Sequence, residues 1–136
     1  MQKITIHTDG GSLNNPGQAG IGFVIYDNES KILYEKGEAI GIATNNVAEY
    51  TALIRALTYV RDFILNEVES LIIKADSELM IKQLKNEYKV KNQDLKTLYN
   101  EVLLLVQEIN LPITYIHVYR EQNVLADSLV KKSLGR

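Results

Sequence analysis

The chain has no cysteine, which excludes disulfides, thiolate metal sites and cysteine nucleophiles together. It also lacks any apolar run approaching the ~20 residues that a membrane-spanning helix needs. Near the N-terminus Lys3 and polar residues interrupt the apolar positions every few steps, so no signal-peptide core is present there and a cytoplasmic location is expected. An excess of positive charge is missing as well. Fifteen Lys and Arg stand against 17 Asp and Glu, for a net charge of −2 and a sequence pI near 5.7, whereas a dedicated nucleic-acid binder is usually basic. The cations are unevenly spread, however. Lys82, Lys85, Lys89, Lys91 and Lys96 share one stretch with Tyr88, and Lys131, Lys132 and Arg136 lie close together. Any one of these lysines is more simply read as part of a solvated helix face.

The 136 residues, 46% hydrophobic and 24% charged, are of ordinary globular composition and suffice for one hydrophobic core but not two. A single domain over 1–136 is expected. The run Lys3 to Asp9 reads as a strand that breaks into a glycine-rich loop, Gly10 to Gly17. The β-branched and aromatic segments 20–26 and 32–40, joined by a turn at 27–30, complete an antiparallel meander. From Asn46 the period becomes helical, with Ala52, Leu53, Ala56, Leu57 and Val60 at steps of three and four. A strand at 70–75, a helix from Ser77 to about Lys85 and a long helix from Asp94 to about Asn110 follow, the last stopped by Pro112. A strand at 113–119 and a helix at 122–134 close the order βββαβααβα. This order predicts an α/β fold with a mixed sheet flanked by helices.

Four carboxylates stand in settings that fit metal ligands better than solvated acids: Asp9, Glu49, Asp76 and Asp127. Each has a plainer explanation when taken alone. Asp9 beside Gly10 suits an Asx turn, and Asn46-x-x-Glu49 suits a capping box. Asp76 suits the N-cap of the helix at Ser77. Asp127 has the weakest alternative, because it lies inside a helix on the face of Val124, Val130 and Leu134. Glu49 in turn lies on the apolar stripe of Ala52, Leu53 and Ala56, where an unpaired charge is costly. One explanation, a shared cation, covers all four. With no cysteine and only His7 and His117, both expected to be ordinary strand residues, all-oxygen ligation selects Mg²⁺ or Mn²⁺ over Zn²⁺. Two such ions would carry the net charge from −2 to +2 and equip the site for phosphodiester cleavage.

Four segments in order resemble the acidic motifs of type 1 ribonuclease H: Thr8-Asp9-Gly10-Gly11-Ser12 through Gly17, Thr44-Asn45-Asn46-Val47-Ala48-Glu49, Ala75-Asp76-Ser77, and Asn123-Val124-Leu125-Ala126-Asp127. The resemblance extends over nearly the whole length. It implies a five-stranded ribonuclease H-like sheet with three antiparallel and then parallel strands. It also implies two-metal cleavage of the RNA strand of RNA–DNA hybrids, leaving 3′-hydroxyl and 5′-phosphate ends, with the four acids as ligands. By the same resemblance Gly10, Gly11, Ser12, Asn45, Asn46 and Glu49 would face RNA 2′-hydroxyls, and Asn15 and Thr44 would contact DNA. Ser77, Glu78 and Arg120 would also meet substrate. Three departures follow from the residues. The connection 119–123 has no histidine in the place where the best-known bacterial members have one thought to assist product release, a role vacant here or filled by Arg120. There is no Trp and no basic protrusion, only Tyr88-Lys89-Val90-Lys91-Asn92 near its place, and Glu78 replaces a glutamine. The compact archaeal and plant-like members of the family share this pattern, and a monomer without an obligate protein partner is expected. Two other readings stay open at this point: a non-catalytic RNA- or hybrid-binding module on the same fold, and the same enzyme acting also on double-stranded RNA.

Overall fold

The computed structural model describes residues 1–136. Strands β1 (Gln2–Ser12), β2 (Gly17–Tyr26) and β3 (Ile32–Ala43) form the meander and lead into helix α1 (Asn45–Tyr59). Then come β4 (Val68–Ala75), α2 (Glu78–Leu84), α3 (Gln93–Ile109), β5 (Ile113–His117) and α4 (Val124–Ser133). The five strands make one sheet in the order β3-β2-β1-β4-β5. Pairing is antiparallel within the meander and parallel for β1–β4 and β4–β5. The expected mixed sheet and the order βββαβααβα are both observed.

Several boundaries differ from expectation, each for a local reason. Strand β1 does not break at Asp9. Gly10, Gly11 and Ser12 pair with Ile21, Gly20 and Ala19 of β2, so the glycines are strand residues whose low propensity is overridden by cross-strand pairing. Helix α1 is capped by Thr44, whose Oγ1 accepts from Val47 N at 3.2 Å. Glu49 therefore lies beyond the capping-box position, and the Asn46–Glu49 box does not form. Helix α2 is capped by Ser77, which accepts from Met80 N at 3.2 Å, so Asp76 is not its cap. Strand β5 ends at His117, and a single 3₁₀ turn at Arg120–Gln122 precedes α4.

Two faces of the sheet are covered differently. Ile4 and Ile6 of β1 point to one face, where they join Leu53, Leu57 and Val60, Met80 and Ile81 of α2, and Val102 and Leu105 of α3 in the main core. Burial of these side chains, each worth roughly 1.5–3 kcal/mol, supplies the bulk of the driving force. The opposite face carries α4 alone. It lies so close to β2 and β3 that a Cβ at Gly22 would fall 2.4 Å from Ala126 O, and one at Gly37 2.6 Å from Leu129 O. A similar contact sets α1 on β1: a Cβ at Gly10 would meet the Ala48 carbonyl carbon at 2.3 Å. Glycine at these positions lets one helix on each face approach the sheet closely, α1 against β1 and α4 against β2 and β3.

Candidate active site

Thr8 and Ala75 are the last pair of the parallel β1–β4 ladder, so Asp9, next on β1, and Asp76, just past the end of β4, fall side by side. Glu49 follows Ala48, the residue seated on Gly10. Asp9, Glu49 and Asp76 each offer a carboxylate oxygen within 4.8 Å of the others. Asp9 is 7% and Glu49 9% exposed.

Like charges at this spacing, away from water, cannot all ionise. Burial first, and then the Asp76 carboxylate, push the Asp9 carboxyl up to about 8. Burial, together with Asp9 and Asp76, raises Glu49 well above the usual carboxylate range, against smaller opposing pulls from the Gly10 amide and then Arg120. Asp9 Oδ1 accepts from Gly10 N at 2.9 Å, but Glu49 Oε1 and Asp76 Oδ1 are buried with no hydrogen-bond partner at all. Buried polar atoms are nearly always satisfied. Two orphaned carboxylate oxygens, from Glu49 and Asp76, converging beside Asp9 fit a bound cation, and the all-oxygen donor set fits a hard one.

Asp127 comes from α4 and stands apart from this trio. It lines the same cavity and adds repulsion at Asp9, yet its Oδ2 is ion-paired with Lys131 Nζ at 3.0 Å. The apolar face proposed for it is only partly present. Val130 is buried, but Val124, as the first residue of α4, is 64% exposed, and Ala126 takes its place inside.

The cavity holds about 590 Å³ and is walled by the four acids together with Gly10, Gly11, Ser12, Asn45 and Arg120. Asn45 Oδ1 accepts from Ser12 N at 2.8 Å and from Ser12 Oγ at 3.0 Å, and Asn45 N donates to Asn15 Oδ1 at 3.0 Å. This network ties the rim of β1 to the start of α1. Asn46 is exposed beside it, while Thr44 lines a neighbouring groove with Pro16 and Val47. Ser77 and Glu78 do not line the acidic cavity. The Ser77 hydroxyl is committed to capping, and Glu78 is 60% exposed and pairs with Lys82 at 3.7 Å.

One supporting pair has no counterpart in the sequence reading. Asn123, 1% exposed, donates from Nδ2 to Thr8 O at 2.8 Å, and its Oδ1 lies 3.1 Å from His7 Nδ1. With the amide so oriented, Nδ1 of His7 must carry the proton. His7 is thus more than an ordinary strand residue, whereas His117 ends β5 and takes no part in the acid cluster. Asn123 also accepts from Asp127 N at 3.1 Å, so it anchors the start of α4 to β1. Asn123→Ala is expected to cost roughly 2–3 kcal/mol, by stranding the Thr8 carbonyl. An unchanged urea midpoint would remove this anchoring role.

Comparison with known proteins gives a consistent picture. The family profile described as reverse transcriptase-like matches residues 7–133. A bifunctional protein of Mycobacterium tuberculosis is 38% identical over 97% of this chain, which spans 35% of that protein. Ribonuclease HI of Halobacterium salinarum is 35% identical over 97% of this chain, which spans 64% of it. The chain therefore covers about a third to just under two thirds of these curated relatives. Among solved structures, LC11-RNase H1 in complex with an RNA/DNA hybrid is 40% identical, with a TM-score of 0.92 over 97% of this chain and 96% of that one.

Proposed function

This chain belongs to the type 1 ribonuclease H family, and on that footing we propose that it is a metal-dependent endoribonuclease cutting the RNA strand of RNA–DNA hybrids to 3′-hydroxyl and 5′-phosphate ends. The observation that carries the proposal is the convergence of Asp9, Glu49 and Asp76 with two buried, unpartnered oxygens at the floor of an open cavity. A purely binding module would gain nothing from anions placed where a phosphate backbone must come.

Asp9, Glu49 and Asp76 would hold Mg²⁺ or Mn²⁺, with Asp127 completing the set from α4. When bound, such cations supply the Lewis acidity that makes water nucleophilic at neutral pH and offsets charge on the leaving oxygen. The chain's own groups do the positioning. Since both hydrogen bonds from Ser12 end on Asn45 Oδ1, the Asn45 amide is oriented and presents only its NH₂ donors to the cavity. Donors so fixed suit the oxygen of a ribose 2′-hydroxyl, the group that separates RNA from DNA. Gly11, where a Cβ would meet nothing closer than 3.9 Å, leaves the rim without a side chain, so a sugar-phosphate strand can come close. Arg120 lines the cavity near Glu49 and supplies a fixed positive charge for a phosphate. Asn15 and Thr44, one residue network away, would meet the DNA strand.

The test is a substrate panel: hybrid, single-stranded RNA, double-stranded RNA and double-stranded DNA, each with Mg²⁺ or Mn²⁺. The hybrid should be cut far faster than the other three. Binding should be weak and fall steeply with salt, because no basic protrusion reinforces it. Equal cutting of double-stranded RNA would replace hybrid specificity with a broader one. A hybrid bound but left intact with both metals would point to a binding module.

A further inference from the structure

Asp127 differs from the other three acids in owning a cation. Lys131, one helical turn further along α4, places Nζ 3.0 Å from Asp127 Oδ2, and both residues wall the acidic cavity. Nothing comparable serves Glu49 or Asp76, whose buried oxygens have no partner. Asp127 is also close enough to add its repulsion to Asp9. The ammonium therefore shares the field in which a cation held by these acids would sit.

Resting on the reading of the four acids as a cation-holding set, we propose that Lys131 is an internal counter-ion that competes with the divalent cation at Asp127 and so lowers the site's metal affinity. A cation drawn to Asp127 must either displace the ammonium or bind with a like charge a few ångströms away, and both oppose binding. Displacement is easy. The Lys131 side chain is 56% exposed, and its flexible stem can carry the charge into water. The competition is accordingly moderate, on the order of tenfold in affinity across a solvent-screened distance. The cation-free site gains from the arrangement, because the carboxylate outside the buried trio stays neutralised by an ammonium.

The test is calorimetric titration of Mn²⁺ into the substrate-free protein at low salt, comparing wild type with K131M, K131R and K132M. Methionine and arginine are both good helix formers, so α4 should persist in each variant. K132M removes the same unit of charge from an exposed neighbour that does not line the cavity. K131M should bind Mn²⁺ roughly tenfold more tightly, while K131R and K132M stay within about twofold of wild type. An unchanged isotherm for K131M would reduce the pair to a helix-surface contact and overturn the proposal. Weaker binding by K131M would overturn it too, by making Lys131 an orienting group for Asp127. Both of those outcomes leave the nuclease reading standing, whereas absence of Mn²⁺ binding by all four proteins would overturn the reading and the proposal together.

Discussion

Asp9→Asn is expected to lower hybrid cleavage on the order of a thousandfold or more, since it removes a ligand from the reacting centre. At the same time it should raise the melting temperature of the metal-free protein at alkaline pH. The sign follows from the carboxyl itself. Its ordinary value is 3.8, and the fold pushes it up to about 8, chiefly by burial and then by Asp76. The folded state thus binds the proton more tightly than the unfolded chain. The stability this group contributes is fully present below its ordinary value and is lost as pH rises through the folded value. Asparagine does not titrate. In EDTA, wild type and variant should melt within about 2 °C of each other near pH 3.5, and the variant should melt roughly 5–10 °C higher near pH 8.5. A variant less stable at both pH values would mean that Asp9 serves chiefly as acceptor for the Gly10 amide.

Gly10→Ala is expected to be the most damaging small substitution in the chain. Its Cβ would fall 2.3 Å from Ala48 C, 2.5 Å from Ala48 O and 2.6 Å from Glu49 N. All three are backbone atoms, so no side chain can swing aside, and α1 must move off β1. The cost should be roughly 3–5 kcal/mol, the range of severe overpacking, read as a fall in the denaturant midpoint. Because the displaced segment carries Glu49, the residual folded protein should also lose cleavage. Gly11→Ala is the matched control: its Cβ would meet nothing closer than 3.9 Å, and alanine suits a strand at least as well as glycine. Equal stability of the two variants would show that the contact between β1 and α1 is not tight.

Much of the fold is legible because it is locally encoded. Ile4 and Ile6 alternate with polar neighbours, and Ala52, Leu53, Ala56 and Leu57 repeat at helical steps, so strand and helix declare themselves before any tertiary contact. The extension of β1 through Gly10–Ser12 is not encoded that way. Glycine favours a loop in isolation, and only pairing with β2, together with the helix lying on Gly10, explains its presence in the strand. The caps show the same limit at finer scale. Thr44 and Ser77 occupy the cap positions that Asn46 and Asp76 could have filled, which frees Glu49 and Asp76 from structural duty. Asp9, Glu49 and Asp76, singled out from their settings, do come together, while Asp127 stands apart. The partners that hold them were not readable, because the link of His7 to Asn123 spans 116 positions and leaves no periodic trace. Lys131 was visible as one more surface lysine. Its contact with Asp127 becomes meaningful only when α4 is seen to wall the cavity.

The most direct measurement is cleavage of one RNA–DNA hybrid, labelled in separate samples on the RNA or the DNA strand, at low salt with EDTA, Mg²⁺ or Mn²⁺. The account predicts shortening of the RNA strand alone, only with metal, to fragments ending in 3′-hydroxyl and beginning with 5′-phosphate. Cutting in EDTA, or a hybrid that is bound but never cut in either metal, would contradict it.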